Sequence, residues 1–195
     1  MKTQFAARLT AALALGLTVC APALAQPAPS AQPPIRAAAP VVSANPYTAY
    51  EFLIGDWDTR PQGGPGMAIH QRFEWGLNQS YIAYTTLTRE GAKPEAVHFM
   101  GWLVWNGANR NLDYLVVTEP GSGVQEQGVM RAQPDGSIVR DVTLTAADGA
   151  VSHFRQTFRS TGPDTAVTSL MRQTAGGWEP NFPGSDNLLM TRRRT

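Results

Sequence analysis

The chain has 195 residues, 43% hydrophobic and 16% charged, with 16 basic against 15 acidic side chains and a formal net charge of +1. Nothing in so even a balance suggests a nucleic-acid or other polyanion partner, which would show a clustered basic stripe; the run Arg192-Arg193-Arg194 is only three residues and reads as a solvated terminus. A single cysteine, Cys20, excludes a disulfide framework within the chain.

The first 25 residues have a basic start (Lys2, Arg8), an apolar stretch from Leu9 to Val19 and the small-residue pattern Ala23-Leu24-Ala25 before Gln26. That order is a secretory signal peptide. Cleavage after Ala25 places the mature chain in the periplasm or outside the cell, with 14 basic and 15 acidic residues and no thiol. The apolar stretch falls short of the roughly 20 residues a spanning helix needs, and later apolar runs are all interrupted, so no transmembrane segment is expected. Lipid attachment at Cys20 is the competing reading, because Leu17-Thr18-Val19-Cys20 looks like a lipoprotein box; Val19 stands where that box has Gly, Ala or Ser, and ordinary cleavage is preferred. Residues 26–46 are built from Pro and Ala and read as a flexible or polyproline-like linker. About 149 residues remain from Tyr47 to Thr195, a normal size for one domain with one core.

Within that domain a turn or two of helix is expected over Pro46 to Ile54, with Tyr50, Leu53 and Ile54 packing at one mouth of a sheet. Ten strands follow, near 55–60, 67–77, 80–89, 96–106, 111–119, 123–132, 137–146, 150–161, 165–174 and 187–194. Their turns carry the residues hairpins require: Asn106-Gly107, Pro120-Gly121, Pro134-Asp135-Gly136, Asp148-Gly149 and Gly162-Pro163-Asp164. Alternation assigns faces. Met67, Ile69, Phe73, Trp75 and Leu77 share one face against His70, Arg72 and Glu74; Phe154 and Phe158 oppose His153, Arg155 and Arg159. The run Val97 to Trp105 is apolar on both faces apart from His98, which predicts a strand covered on both sides. Only Arg60–Gly66 and Ala175–Ser185 look like long connections. Short turns throughout favour an all-β, antiparallel up-and-down barrel of about ten strands, which removes its edges by closing, over a two-sheet sandwich.

The most specific segment is Tyr50-Glu51-Phe52-Leu53-Ile54-Gly55-Asp56-Trp57-Asp58. It resembles the opening of calycin barrels of the lipocalin and nitrobindin type, in which Gly-x-Trp begins the first strand, and is most similar to an exported bacterial family that starts with Phe-x-Ile-Gly-x-Trp-Asp. Gly55 lets the backbone bend into the strand and Trp57 plugs one end. The resemblance implies a late basic residue stacked over Trp57, with Arg192, Arg193 and Arg194 as candidates and Arg192 chosen. Nitrobindin-like members hold haem through a late histidine. The last histidine here is His153, and the final strand has none, so no cofactor is expected; Met190 and His153 are the only late haem ligands on offer.

His70, His98 and His153 lack metal-ligand spacing, and no Gly-x-Ser-x-Gly elbow is present, so neither a metal site nor a catalytic residue is assigned. Gly64-Pro65-Gly66 lacks the strand-to-helix setting that phosphate binding needs. Asp56, Asp58, Glu74 and Asp141 are read as surface acids. The interior is the natural ligand site, with Trp75, Tyr84, Phe99, Trp102 and Tyr114 as candidate lining residues and Arg140 and Arg172 as candidates to meet a polar head group. Three readings result: a binding protein for a small apolar or amphipathic molecule, an enzyme (hydrolase or isomerase) using the same cavity, or an interaction module with a filled core.

Overall fold

A computed structural model describes residues 45–60, 67–118 and 121–194. The leader, Cys20, the linker up to residue 44, the Gly64-Pro65-Gly66 loop and Pro120 lie outside the described residues.

Nine strands pair antiparallel in chain order: β1 (Gly55–Thr59), β2 (Met67–Gly76), β3 (Tyr81–Glu90), β4 (Ala96–Asn106), β5 (Asn111–Thr118), β6 (Gln125–Ala132), β7 (Ile138–Thr145), β8 (Val151–Gly162) and β9 (Thr165–Thr174). After β10 (Gly177–Pro180), the last strand β11 (Leu188–Arg192) fits between β9 and β1 and closes the ring. The expected ten-stranded up-and-down barrel is what forms. β10 is the addition. It folds back on the upper half of β9, inside what reads in sequence as a long loop, and sets Trp178 over Arg155 at 4.6 Å. Four residues without alternation leave no strand period to detect.

The seam between β1 and β11 is held by the motif. Trp57 pairs with Arg192 across it, and the Arg192 guanidinium lies 4.4 Å from the indole centroid, a contact worth roughly 0.5 to 2 kcal/mol. Arg192 also donates to the carbonyls of Ile54 (2.5 Å) and Phe52 (3.1 Å), while Trp57 Nε1 donates to Leu53 O at 2.7 Å. Gly55 has φ +125°, and any Cβ there would collide with that same guanidinium. Arg193 takes the outer side of the seam, bonded to Asp58 and Glu95 at 2.8 Å each. Beside it, buried His70 presents its two ring nitrogens to Asp56 (2.7 Å) and Glu95 (3.4 Å), and Arg72 Nε donates to Asp56 at 2.7 Å.

The lower end is closed by a 3₁₀ helix, Thr48–Leu53. At three residues per turn, Tyr47, Tyr50 and Leu53 stack on one face, replacing the expected set of Tyr50, Leu53 and Ile54. Tyr47 Oη donates to Ser80 O and accepts from Trp105 N; Tyr50 Oη donates to Met130 O and accepts from Ala132 N. Two hydroxyls thus satisfy strand-end backbone that the ladders leave open. Above this plug Trp57, Phe73, Leu103, Tyr114, Met130, Ile138 and Phe158 fill the lower half of the barrel.

Two face assignments change. Leu77 does not share the inward face: it sits in the β2–β3 turn at φ +30° and is 75% exposed. The β4 strand is not covered on both sides. Met100, Trp102 and Val104 are about half exposed, and with Leu115 and Val117 of β5 they form an apolar stripe on the outer wall. An apolar residue needs no burial to be tolerated on a surface, so composition alone overstated the cover.

Trp57→Ala should cost about 3–5 kcal/mol in urea unfolding, and Trp102→Ser less than about 0.5 kcal/mol; equal losses would contradict the assignment of the barrel's stability to its seam. A second expectation concerns acid. Burial raises the Asp56 pKa, but hydrogen bonds from Arg72 and His70 outweigh it and hold the carboxyl below its ordinary value; Arg193 above all, with a smaller part from His70, does the same for Glu95 against desolvation. Depressed folded values mean that the stability is present above the ordinary carboxyl range, about pH 4 to 4.5, and is lost as pH falls through the folded values. Urea midpoints measured from pH 7 to 3 should fall less steeply in Asp56→Asn/Glu95→Gln than in the native chain, and an identical slope would count against the clasp.

Candidate functional site

Where the lower half is packed, the upper half is hollow. A partly enclosed cavity of about 290 Å³ lies there, close to the low end of the roughly 300–1,000 Å³ typical of small-molecule sites. Alternation along each strand decides what faces it. On β2 the inward residues are Met67, Ile69 and Gln71; on β3, Tyr84, Thr86 and Thr88; on β7, Arg140, Val142 and Leu144; on β8, Phe154 and Gln156. Its upper wall is mostly apolar, from Met67, Phe99, Leu144, Phe154, Leu170 and Leu188, with Thr88 and His98 also in the lining. Asn181 and Phe182 come from the loop after β10, which is tied down where Ser185 Oγ donates to Leu170 O at 2.7 Å.

The floor is polar. Arg140 is 6% exposed, and its Nη1 donates to Tyr114 Oη at 2.8 Å; that hydroxyl in turn donates to Glu126 Oε2 at 2.8 Å. The guanidinium also lies 4.7 Å from the Tyr114 ring centroid and 5.3 Å from that of Tyr84. Burial works against the charge of Arg140, but Tyr114, Tyr84 and Glu126 outweigh it and hold the group above its ordinary pKa. Desolvation drives the Tyr114 hydroxyl well above its usual value, against the pull of Arg140. It therefore serves as a neutral bridge between the two charges. Tyr84 Oη accepts from Gln71 Nε2 (2.8 Å) and Thr86 Oγ1 (2.6 Å), and Gln156 Nε2 donates to Thr168 Oγ1 at 3.0 Å. Three side chains of this lining keep a buried polar atom without a partner among the described residues: Thr59 Oγ1, Arg140 Nε and Gln156 Oε1.

Of the seven lining candidates, the structure places Tyr84, Phe99 and Arg140 on the cavity wall and Tyr114 directly behind it through the Arg140 bond. Trp75 is lower, edge-on to Tyr47 at 5.5 Å. Trp102 is 46% exposed on the outer wall, one residue out of phase with inward Gly101 and Leu103. Arg172 follows the inward parity of Leu170, but β9 has reached the rim there and the side chain is exposed. Met190 lies in the core and His153 is exposed on the outside, bonded to Thr143, so the two late haem candidates do not face one another. Among the described residues no three His, Cys, Asp or Glu side chains converge to hold a metal.

Gln71, Glu126, Gln156, Thr59 and Thr168 escaped the sequence reading. For Gln71 and Gln156 the signal was present: each stands midway between two apolar residues of one face, Ile69 and Phe73 or Phe154 and Phe158. Glu126 had none, because Gln125-Glu126-Gln127 is polar on both faces. No protein-family model matches this sequence, and no curated protein matches it.

Removing the Tyr114 hydroxyl should cost more than a surface hydrogen bond, since it strands both Arg140 and Glu126. Tyr114→Phe is expected to lose about 1–3 kcal/mol in urea unfolding; a loss no larger than that of an exposed hydroxyl would mean that the floor is not held together through this residue.

Proposed function

We propose that this is an exported binding protein that holds one small apolar or amphipathic molecule in the upper half of a calycin-like barrel. The observation that carries the reading is the division of the barrel interior: packed below, and above it a cavity of about 290 Å³ with apolar walls and a buried polar floor. Such a space suits a molecule whose apolar body lies against Phe99, Leu144, Phe154 and Leu170 and whose polar end reaches Arg140. The leader sequence supports a periplasmic or secreted location, and the Phe52-to-Asp58 motif supports kinship with the exported family it resembles. The hollow upper half speaks against an interaction module with a filled core.

An enzyme using the same cavity is the second reading, favoured by one observation: Glu126, a buried carboxylate on the wall, is bonded to a tyrosine. The two readings separate on the fate of the bound molecule, which a binder returns unchanged.

Protein purified under native conditions should carry a small molecule detectable by native mass spectrometry. Leu144→Trp, which fills the upper cavity at a cost of about 1–3 kcal/mol, should lose it while keeping the β-sheet circular dichroism signal. Unchanged retention in that variant would rule out the barrel interior as the site.

A further inference from the structure

We propose that the cavity floor selects an uncharged head group bearing a hydrogen-bond acceptor and donor side by side, of the primary-amide class, over an ionised carboxylate. This rests on the small-molecule-binding reading above and names the chemistry of the ligand's polar end.

A lone buried arginine would invite an anion. Arg140 is not alone: Glu126 stands one hydroxyl away, joined to it through Tyr114. The cation is already answered. A carboxylate approaching Arg140 would also approach Glu126, and in a water-poor interior that repulsion is poorly screened. What the floor lacks is hydrogen-bond partners, and these are of both kinds. Arg140 Nε is a donor and Gln156 Oε1 an acceptor, each buried and unpartnered among the described residues.

The orientation of Gln156 is fixed by its neighbours. Thr168 Oγ1 donates its proton to Thr157 O at 2.8 Å, so it must accept from Gln156, which turns Nε2 toward Thr168 and leaves Oε1 as the open atom. Arg140 and Gln156 are direct register partners across β7 and β8, with both side chains inward. Donor and acceptor therefore come from adjacent positions on one wall. A primary amide meets both, its carbonyl accepting from Arg140 and its NH₂ donating to Gln156. A carboxylate has no proton for Gln156 and sets its own lone pairs against Oε1.

The test uses octanamide and octanoate as probes, titrated calorimetrically into the native protein at pH 8, with uptake of the neutral fluorophore N-phenyl-1-naphthylamine read in parallel. Octanamide should bind at least about tenfold tighter than octanoate. Glu126→Gln should narrow that ratio by raising octanoate affinity. Gln156→Met, which keeps the side-chain volume and stays available if the first variant does not fold, should narrow it by weakening octanamide. Equal or tighter octanoate binding, or a ratio unmoved in a folded variant, overturns the proposal. Fluorophore uptake without amide preference defeats this inference alone. No uptake of the fluorophore or either probe defeats the container reading with it.

Discussion

The structure depends on closure of the sheet between its first and last strands. Strand β1 has only five residues, and β11 has five, so the ladder between them is short. A ladder this brief needs side chains to hold it. Trp57 and Arg192, paired across it, supply a stacked cation, two bonds to the carbonyls before β1 and an indole bond back to the plug helix. The same contact therefore ties the strand seam to the floor of the barrel. Outside, the Arg193, Asp58, Glu95, His70 and Asp56 cluster spans β1, β2, the approach to β4 and the C-terminal end.

Closure also fixes parity for every other strand. Because side chains alternate with period two, a slip of one residue at the seam would exchange all inward and outward residues. With the register as it stands, large residues point inward low in the barrel, a belt of polar or smaller ones follows above them, and apolar residues return at the upper wall. Trp57 is followed on its face by Thr59; Phe73 is preceded by Gln71, and Phe158 by Gln156. The cavity begins at that polar belt, between the packed lower half and the apolar upper wall. Its polar floor sits where the two regimes meet.

The fold was legible because its signals are local. Hairpin turns, alternation and the Gly55-Asp56-Trp57 opening each act over a few residues, and the ten barrel strands lie within a few residues of where turn chemistry put them. The site was only partly legible because its composition depends on height within the barrel, which no local pattern encodes. Trp75, Tyr84 and Tyr114 are all inward aromatics, yet one packs against the plug, one lines the cavity and one bridges two charges. Arg172 has the correct parity and the wrong height. Trp102 shows the complementary failure: on β4 both faces are apolar, so hydrophobicity gives no phase, and its place on the outer wall follows only from the pairing of Trp102 with Leu115 and Ala83.

The polar floor itself calls for an explanation that stability does not provide. Apolar residues of matching volume in place of a buried, hydrogen-bonded charge pair usually leave a fold as stable or make it more so, by about 1–4 kcal/mol. This barrel already has a complete apolar layer immediately below, so a second one was structurally available at Tyr114, Glu126 and Arg140. The floor instead keeps two opposite charges, a tyrosine that joins them and open polar atoms on Arg140 and Gln156. Open buried atoms of this kind oppose folding and reward a guest able to pair with them. Arg140 and Gln156 both line the cavity, as does Thr59, whereas Asn111, whose Oδ1 is also buried without a partner among the described residues, does not. On the function proposed above, the arrangement is recognition chemistry set in a barrel that the seam and the plug hold closed.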